Sequence, residues 1–148
     1  MLELYHHGSS VCAAKVRFTI SEKGLEWKSH YLDILKGEHF NPEYMKLNPK
    51  AVVPTLVHDG NVLVESTVIC EYLDDEFPQV PLKPAKSLDR ARMRLWTKIV
   101  DEELQPACKY ITYAACHRHI IKRMPEEKFK EYMTGPLDSP ETRVTGDP

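Results

Sequence analysis

Asp59-Gly60-Asn61 stands between two apolar runs, Pro54-Thr55-Leu56-Val57-His58 and Val62-Leu63-Val64. Asp-Gly in that setting is a strong short-range hairpin signal, because the favoured two-residue turn needs positive φ at both central positions. The two runs therefore pair antiparallel. Upstream, Leu2, Leu4 and Tyr5 lead into His6-His7-Gly8-Ser9-Ser10, after which Cys12/Ala13, Val16 and Ile20 recur at helical spacing as far as Lys23-Gly24. Gly24 falls in the usual place just past a helix end. A second extended run covers Leu25 to Leu32, with only a crossover helix separating it from the first, so those two strands run parallel and right-handed. Ser66 then caps a helix whose apolar positions Ile69, Tyr72, Leu73 and Phe77 end before Pro78. A chain with one parallel and one antiparallel pair predicts a mixed α/β unit, βαβ followed by ββα.

The connection 33–48 is polar, with Asn41-Pro42 as cap and first-turn proline of one short helix through Leu47. Residues 78–86 hold three of the eleven prolines and read as a linker. Ser87 opens a long helical stretch towards Lys122. It carries Leu88, Ala91, Leu95 and Ile99 on one stripe, Trp96 and Val100 beside it, and Pro106 in its middle as a predicted kink. A short amphipathic segment follows from Phe129 to Met133, and Gly135 to Pro148 read as an unstructured or incomplete tail. Two domains are expected, 1–80 and 87–148, with the linker at 78–86. Charge divides the same way: residues 1–80 carry seven basic against twelve acidic residues, a net −5, and 81–148 thirteen against ten, a net +3.

At 148 residues, with 42% hydrophobic and 28% charged, the chain can bury a real core. A net charge of −2 offers no footprint for nucleic acid or an anionic membrane. No apolar run reaches the ~18 residues of a membrane span, and no basic signal region precedes the first strand. Cys12, Cys70, Cys108 and Cys116 form no CxxC pair and read as reduced thiols, which together point to the cytoplasm. Cys116-His117-x-His119 sit on a helix, where sequential residues point around its circumference, so no metal site is expected.

Three short segments carry chemistry. Gly8-Ser9-Ser10 joins a strand's carboxyl end to a helix's amino end, where unpaired N–H groups and the dipole favour an anion. A hydroxyl donated there to a bound sulfur favours its thiolate form. The plain alternative is a serine cap. Val53-Pro54 opens a strand and is a candidate cis bond, the alternative being an ordinary edge-strand proline. Glu65-Ser66 stands where a strand hands over to a helix. Ser66 could hold a carboxylate and Glu65 an ammonium, a grip for an amino-acid head group, or the pair is merely a helix start.

Leu4-Tyr5, Ser10-x-Cys12-x-x-Lys15-Val16-Arg17, Glu22-Lys23-Gly24-Leu25, Asn48-Pro49 to Val53-Pro54-Thr55-Leu56 and Asp59-Gly60 to Glu65-Ser66 together, in this order and spacing, resemble the amino-terminal domain of cytosolic glutathione transferases. The resemblance covers about residues 1–80. It implies a thioredoxin-like βαβ-ββα domain followed by an all-helical one, and an enzyme that activates the thiol of glutathione for attack on a hydrophobic electrophile. Ser10 matches the hydroxyl of the serine-type classes, theta and zeta, that activates the thiol, with Ser9 as the adjacent alternative. Val53, with Pro54, matches the residue whose backbone pairs with the cysteinyl group, and Glu65 and Ser66 match the γ-glutamyl site. His39 looks like the histidine near the glycyl carboxylate, with Lys50 as a second cation. The family implies glutathione as co-substrate, no metal, and a homodimer. Residues 87–148 leave room for about two helices where family members carry more, so the helical domain is shortened or truncated. Two other readings stay open: a non-catalytic assembly module, and a glutathione-dependent thiol reductase using Cys12.

Overall fold

The computed structural model describes residues 1–134; the tail from Gly135 to Pro148 and the side chains of Lys109, Tyr113, Cys116 and residues 131–134 lie outside the described residues. The chain divides into two compact units, Met1–Met93 and Arg94–Pro148.

In the first unit, β1 (Leu2–His6), α1 (Val11–Glu22) and β2 (Trp27–Tyr31) form the βαβ half. A crossover segment holding two 3₁₀ turns and α2 (Pro42–Leu47) leads to β3 (Thr55–His58), β4 (Asn61–Val64) and α3 (Ser66–Glu76). The sheet order is β2-β1-β3-β4. β1 is parallel to β2 and antiparallel to β3, with Leu4 opposite Leu56 and Tyr5 opposite Thr55. β3 is antiparallel to β4, with Thr55 opposite Val64. This is the thioredoxin-like arrangement.

The hairpin turn is Asp59-Gly60, with φ of 48° and 83° and His58 opposite Asn61, which is the conformation its sequence demands. β2 begins two residues later than its apolar run. The Gly24 N–H bonds Ser21 O and the Leu25 N–H bonds Ile20 O, with Gly24 at φ 62°, so Leu25 is consumed in closing α1. Ala13, Val16 and Ile20 face inward from α1 as their spacing predicts. They join Leu2, Leu4, Leu56, Ile69 and Leu73 between the sheet and the two helices. Truncating one of these leucines or isoleucines to alanine costs about 2–5 kcal/mol.

The topology also positions the loops. Because β1 and β4 both oppose β3, they point the same way, and α1 and α3 leave the sheet from one edge. β3 enters from that edge. The segments after His6, before Thr55 and after Val64 therefore converge there, on neighbouring strands about 4.8 Å apart.

Downstream, Ser87 to Ile121 is continuous helix: α4 (Ser87–Ile99), a π turn (Val100–Leu104), α5 (Gln105–Thr112), a second π turn (Tyr113–His117) and α6 (Arg118–Ile121). The Gln105 N–H reaches back to Val100 O, and Pro106, which has no N–H to give, follows directly. The proline disturbance is thus accommodated as a wider turn. α7 covers Glu126–Thr134. The stripe predicted to face a core is exposed at Leu88, Leu95 and Ile99, as is Trp96 beside it. Amphipathic spacing specifies a face, and a face becomes core only when another element covers it. Among the described residues no helix is long and apolar enough to cross a membrane.

Candidate functional site

The β1–α1 loop is held from both sides. The His7 Nδ1–H donates to Leu32 O at 2.8 Å, and His6 Nε2 lies 2.8 Å from Ser29 Oγ. Arg17, two turns into α1, donates through Nη1 to His7 O (3.1 Å) and His6 Nδ1 (3.3 Å), and through Nη2 to Gly8 O (3.2 Å). An accepting Nδ1 makes His6 the neutral tautomer with its proton on Nε2, given to Ser29. Burial, then Arg17 and His7, push His6 below the ordinary histidine value. The Ser10 N–H bonds His7 O, and Ser10 Oγ accepts the Ala13 N–H at 3.2 Å as the cap of α1. Ser9 is exposed in the preceding turn.

The loop before β3 is braced from beneath by two side chains that share their targets. Asn48 is almost fully buried; its Nδ2 donates to Val52 O (2.9 Å) and Thr55 Oγ1 (3.1 Å), and its Oδ1 accepts the Lys50 N–H. The Tyr44 hydroxyl donates to the same Val52 O at 2.5 Å and meets the same Thr55 Oγ1 at 2.9 Å. Burial pushes the Tyr44 phenol above its usual value, so it remains a donor. The Val53-Pro54 bond is cis. β3 starts at Thr55, so the Val53 peptide stands outside the ladder.

At the third segment the sequence reading needs correcting. Glu65, not Ser66, occupies the cap of α3, without a side-chain cap bond, and Ser66 is the buried first residue of the helix. Glu65 has φ 68° and ψ 109°, a conformation that costs a non-glycine residue about 1–3 kcal/mol and clusters at binding sites. Its carboxylate, turned away from its own helix, takes the Lys50 ammonium at 2.6 Å. That hydrogen bond holds Lys50 above the ordinary lysine value. One residue on, Thr67 Oγ1 accepts from Lys15 Nζ at 2.6 Å, tying α3 to α1.

Ser10, Val53-Pro54 and Glu65-Ser66 are thus brought to one edge of the sheet, and Lys50 joins them through Glu65. His39 lies on the 3₁₀ turn Glu38–Phe40 with its ring 4.0 Å from that of Phe40. Cys12 is the half-buried second residue of α1. Sequence reasoning missed Arg17, Tyr44 and the Asn48 side chain as supports. An arginine beside the buried Val16 of α1 and an asparagine just past the end of α2 were the available signals. Among the described residues no group of three or more His, Cys, Asp or Glu is placed to hold a metal ion.

Residues 9–76 match the family model described as "Glutathione S-transferase, N-terminal domain". Protein LigF of Sphingobium sp. (strain NBRC 103272 / SYK-6) is 40% identical over 145 residues, covering 97% of this chain and 56% of its own length. A zeta-class glutathione S-transferase of Euphorbia esula is 36% identical over 105 residues, 71% of this chain and 47% of the relative. The crystal structure of the LigF beta-etherase superposes with a TM-score of 0.84 at 40% identity, over 97% of this chain and 60% of that one. Fold and these likenesses agree over residues 9–76, the part of the chain that matches the N-terminal domain of glutathione S-transferases. It spans about half the length of the curated relatives it matches.

Proposed function

We propose that the chain binds glutathione along the convergent edge and directs its thiolate at an electrophilic carbon. The observation that carries this reading is the meeting of three segments, Ser10 at the start of α1, the Val53 peptide before β3, and Glu65-Ser66 at the start of α3, on one sheet edge. Glutathione is a peptide-like molecule with an α-ammonium, two carboxylates and a thiol. Glu65 takes the ammonium and Ser66 the carboxylate beside it. The Val53 backbone pairs with the cysteinyl peptide, and His39 faces the glycyl carboxylate, with Lys50 as a second cation there once the ligand's ammonium replaces it on Glu65. Ser10 donates its O–H to the sulfur, lowering the thiol pKa from about 8.5 by favouring the charged form. Ser9 is one residue too early to cap the helix and stands as the alternative donor.

The likeness to a protein described as a beta-etherase supports an ether as the electrophile. In that reaction the thiolate attacks the carbon bearing the ether oxygen, the C–S bond forms, the C–O bond breaks, and the departing oxygen takes a proton from water. The reading needs reduced glutathione, which a reducing compartment such as the cytoplasm supplies. The working division is a glutathione-binding domain over 1–80 and a helical domain from 87, joined by 78–86. A homodimer is expected from the opposite net charges of the two halves, −5 and +3, and is checked by light scattering at two salt concentrations.

Calorimetric titration with glutathione tests the site. Wild type binds, and Glu65→Gln, which keeps shape but loses the charge for the ammonium, binds about tenfold more weakly, a loss of ~1.4 kcal/mol. Absence of binding by the wild-type chain would sink the reading.

A further inference from the structure

We infer that Arg17 is a positioning residue for the thiol-activating serine: its guanidinium clamps the carbonyls of His7 and Gly8 and thereby fixes where Ser10 presents its hydroxyl. The inference rests on the reading of Ser10 given above. Two nitrogens of one planar group bond two successive carbonyls, Nη1 to His7 O at 3.1 Å and Nη2 to Gly8 O at 3.2 Å. This is the fork geometry that arginine supplies and lysine does not. Nη1 also meets His6 Nδ1 at 3.3 Å, and His6 passes the constraint to Ser29 on β2 at 2.8 Å.

The clamp reaches Ser10 through one shared atom. His7 O accepts both from Arg17 Nη1 and from the Ser10 N–H, so moving that carbonyl moves the serine backbone. The opposite side of the loop is held by the His7 ring on Leu32 O. From Ser10 onward the chain is committed to α1 by the Ala13 cap bond, and Arg17 belongs to the same helix. Helix, guanidinium and loop therefore close a ring in which Ser10 has little freedom. An oxygen that must meet sulfur at hydrogen-bond distance tolerates little displacement, since about 1 Å of misplacement costs on the order of a hundredfold in rate.

The readout is the thiol pKa of bound glutathione, followed by the ultraviolet absorbance of the thiolate, with calorimetry for affinity. Arg17→Lys keeps the charge and loses the fork. We expect it to raise the bound thiol pKa nearly as far as Ser10→Ala does, while glutathione affinity changes less than about threefold. Arg17→Gln, with fewer donors and no charge, gives the same result and serves if the lysine variant does not fold. The double variant Ser10→Ala/Arg17→Lys shows no further rise, because both act through one hydroxyl. Full rescue by lysine would make the effect one of charge and overturn the proposal, as would additive shifts in the double variant. Failure of wild type to bind glutathione, or a wild-type thiol titration in Ser10→Ala, overturns the site reading and this inference with it. A normal Ser10→Ala effect beside an unchanged Arg17→Lys overturns this inference alone.

Discussion

A hydroxyl has one proton to donate and two lone pairs to accept with. Ser10 spends a lone pair on the Ala13 N–H and keeps its O–H, so capping a helix and holding a thiolate are compatible tasks for one side chain. Ser10→Ala should therefore show two losses. Melting will report about 1 kcal/mol of missing cap, and the bound thiol will titrate higher. Ser10→Thr, which caps and donates, keeps both. His6 gives a pH dependence. Its folded value lies below 6.5, owing first to burial and then to the neighbouring Arg17 and His7. The unfolded chain thus takes up the proton more readily. The stability this confers is complete above about pH 6.5 and is lost as pH falls towards the folded value. The urea midpoint should fall between about pH 7.5 and about pH 5.5, and the fall should shrink in His6→Asn. An identical pH slope in wild type and His6→Asn would contradict this assignment.

Among the elements, the segment before β3 depends most on buried polar partners. Val52 O and Thr55 Oγ1 each have two, the Asn48 amide and the Tyr44 hydroxyl. Removing one leaves the other in place, and removing both strands a carbonyl and a hydroxyl. We expect Tyr44→Phe to cost about 1 kcal/mol and Asn48→Ala about 2–3 kcal/mol. The double variant should cost more than their sum, a coupling that a denaturant double-mutant cycle measures directly. Strict additivity would mean the two side chains do not share the load. In α3 Ser66, which sequence marks as the cap, is instead the first helical residue. Serine at a strand-to-helix junction favours the cap position by propensity, but here the β4 chain turns one residue earlier, through the positive φ of Glu65.

At the scale of the molecule, the far ends of α1 and α3 are joined by an ion pair removed from water. Lys23 Nζ lies 2.7 Å from Asp74 Oδ1, with side chains 1% and 4% exposed. Lys23 also donates to Val80 O, and Asp74 accepts the N–H groups of Leu82 and Lys83, so the pair fastens the start of the linker to the first unit. Burial alone would raise the Asp74 pKa; the bonds from Lys23, Leu82 and Lys83 outweigh it and hold the carboxyl below its ordinary value. Its contribution is present above about pH 4 and is lost as pH falls through the lowered folded value. Lys23→Met should cost about 3–5 kcal/mol by stranding the carboxylate, whereas Lys23→Met/Asp74→Leu should cost less, removing the stranded charge while still losing the partner of the Leu82 and Lys83 N–H groups. Urea denaturation decides this, and a single variant no worse than the double would refute it.

Sequence alone determined the strand directions, the inward face of α1, the Asp59-Gly60 turn and the short helix after Asn41, because each depends on residues within a few positions of one another. The serine loop, the proline loop and Glu65-Ser66 were legible for the same reason, as local junctions and through the family resemblance. Tertiary structure decided the partnerships: Arg17 on the His7 and Gly8 carbonyls, Tyr44 and Asn48 beneath the proline loop, Lys50 on Glu65, and Lys15 on Thr67 across 52 residues of chain. It also decided that the apolar stripe of α4 stays exposed, and that Glu65 rather than Ser66 begins α3. Periodicity and propensity report the backbone's near neighbours. Which polar side chain meets which is settled only when the sheet closes and brings distant strand ends to one edge.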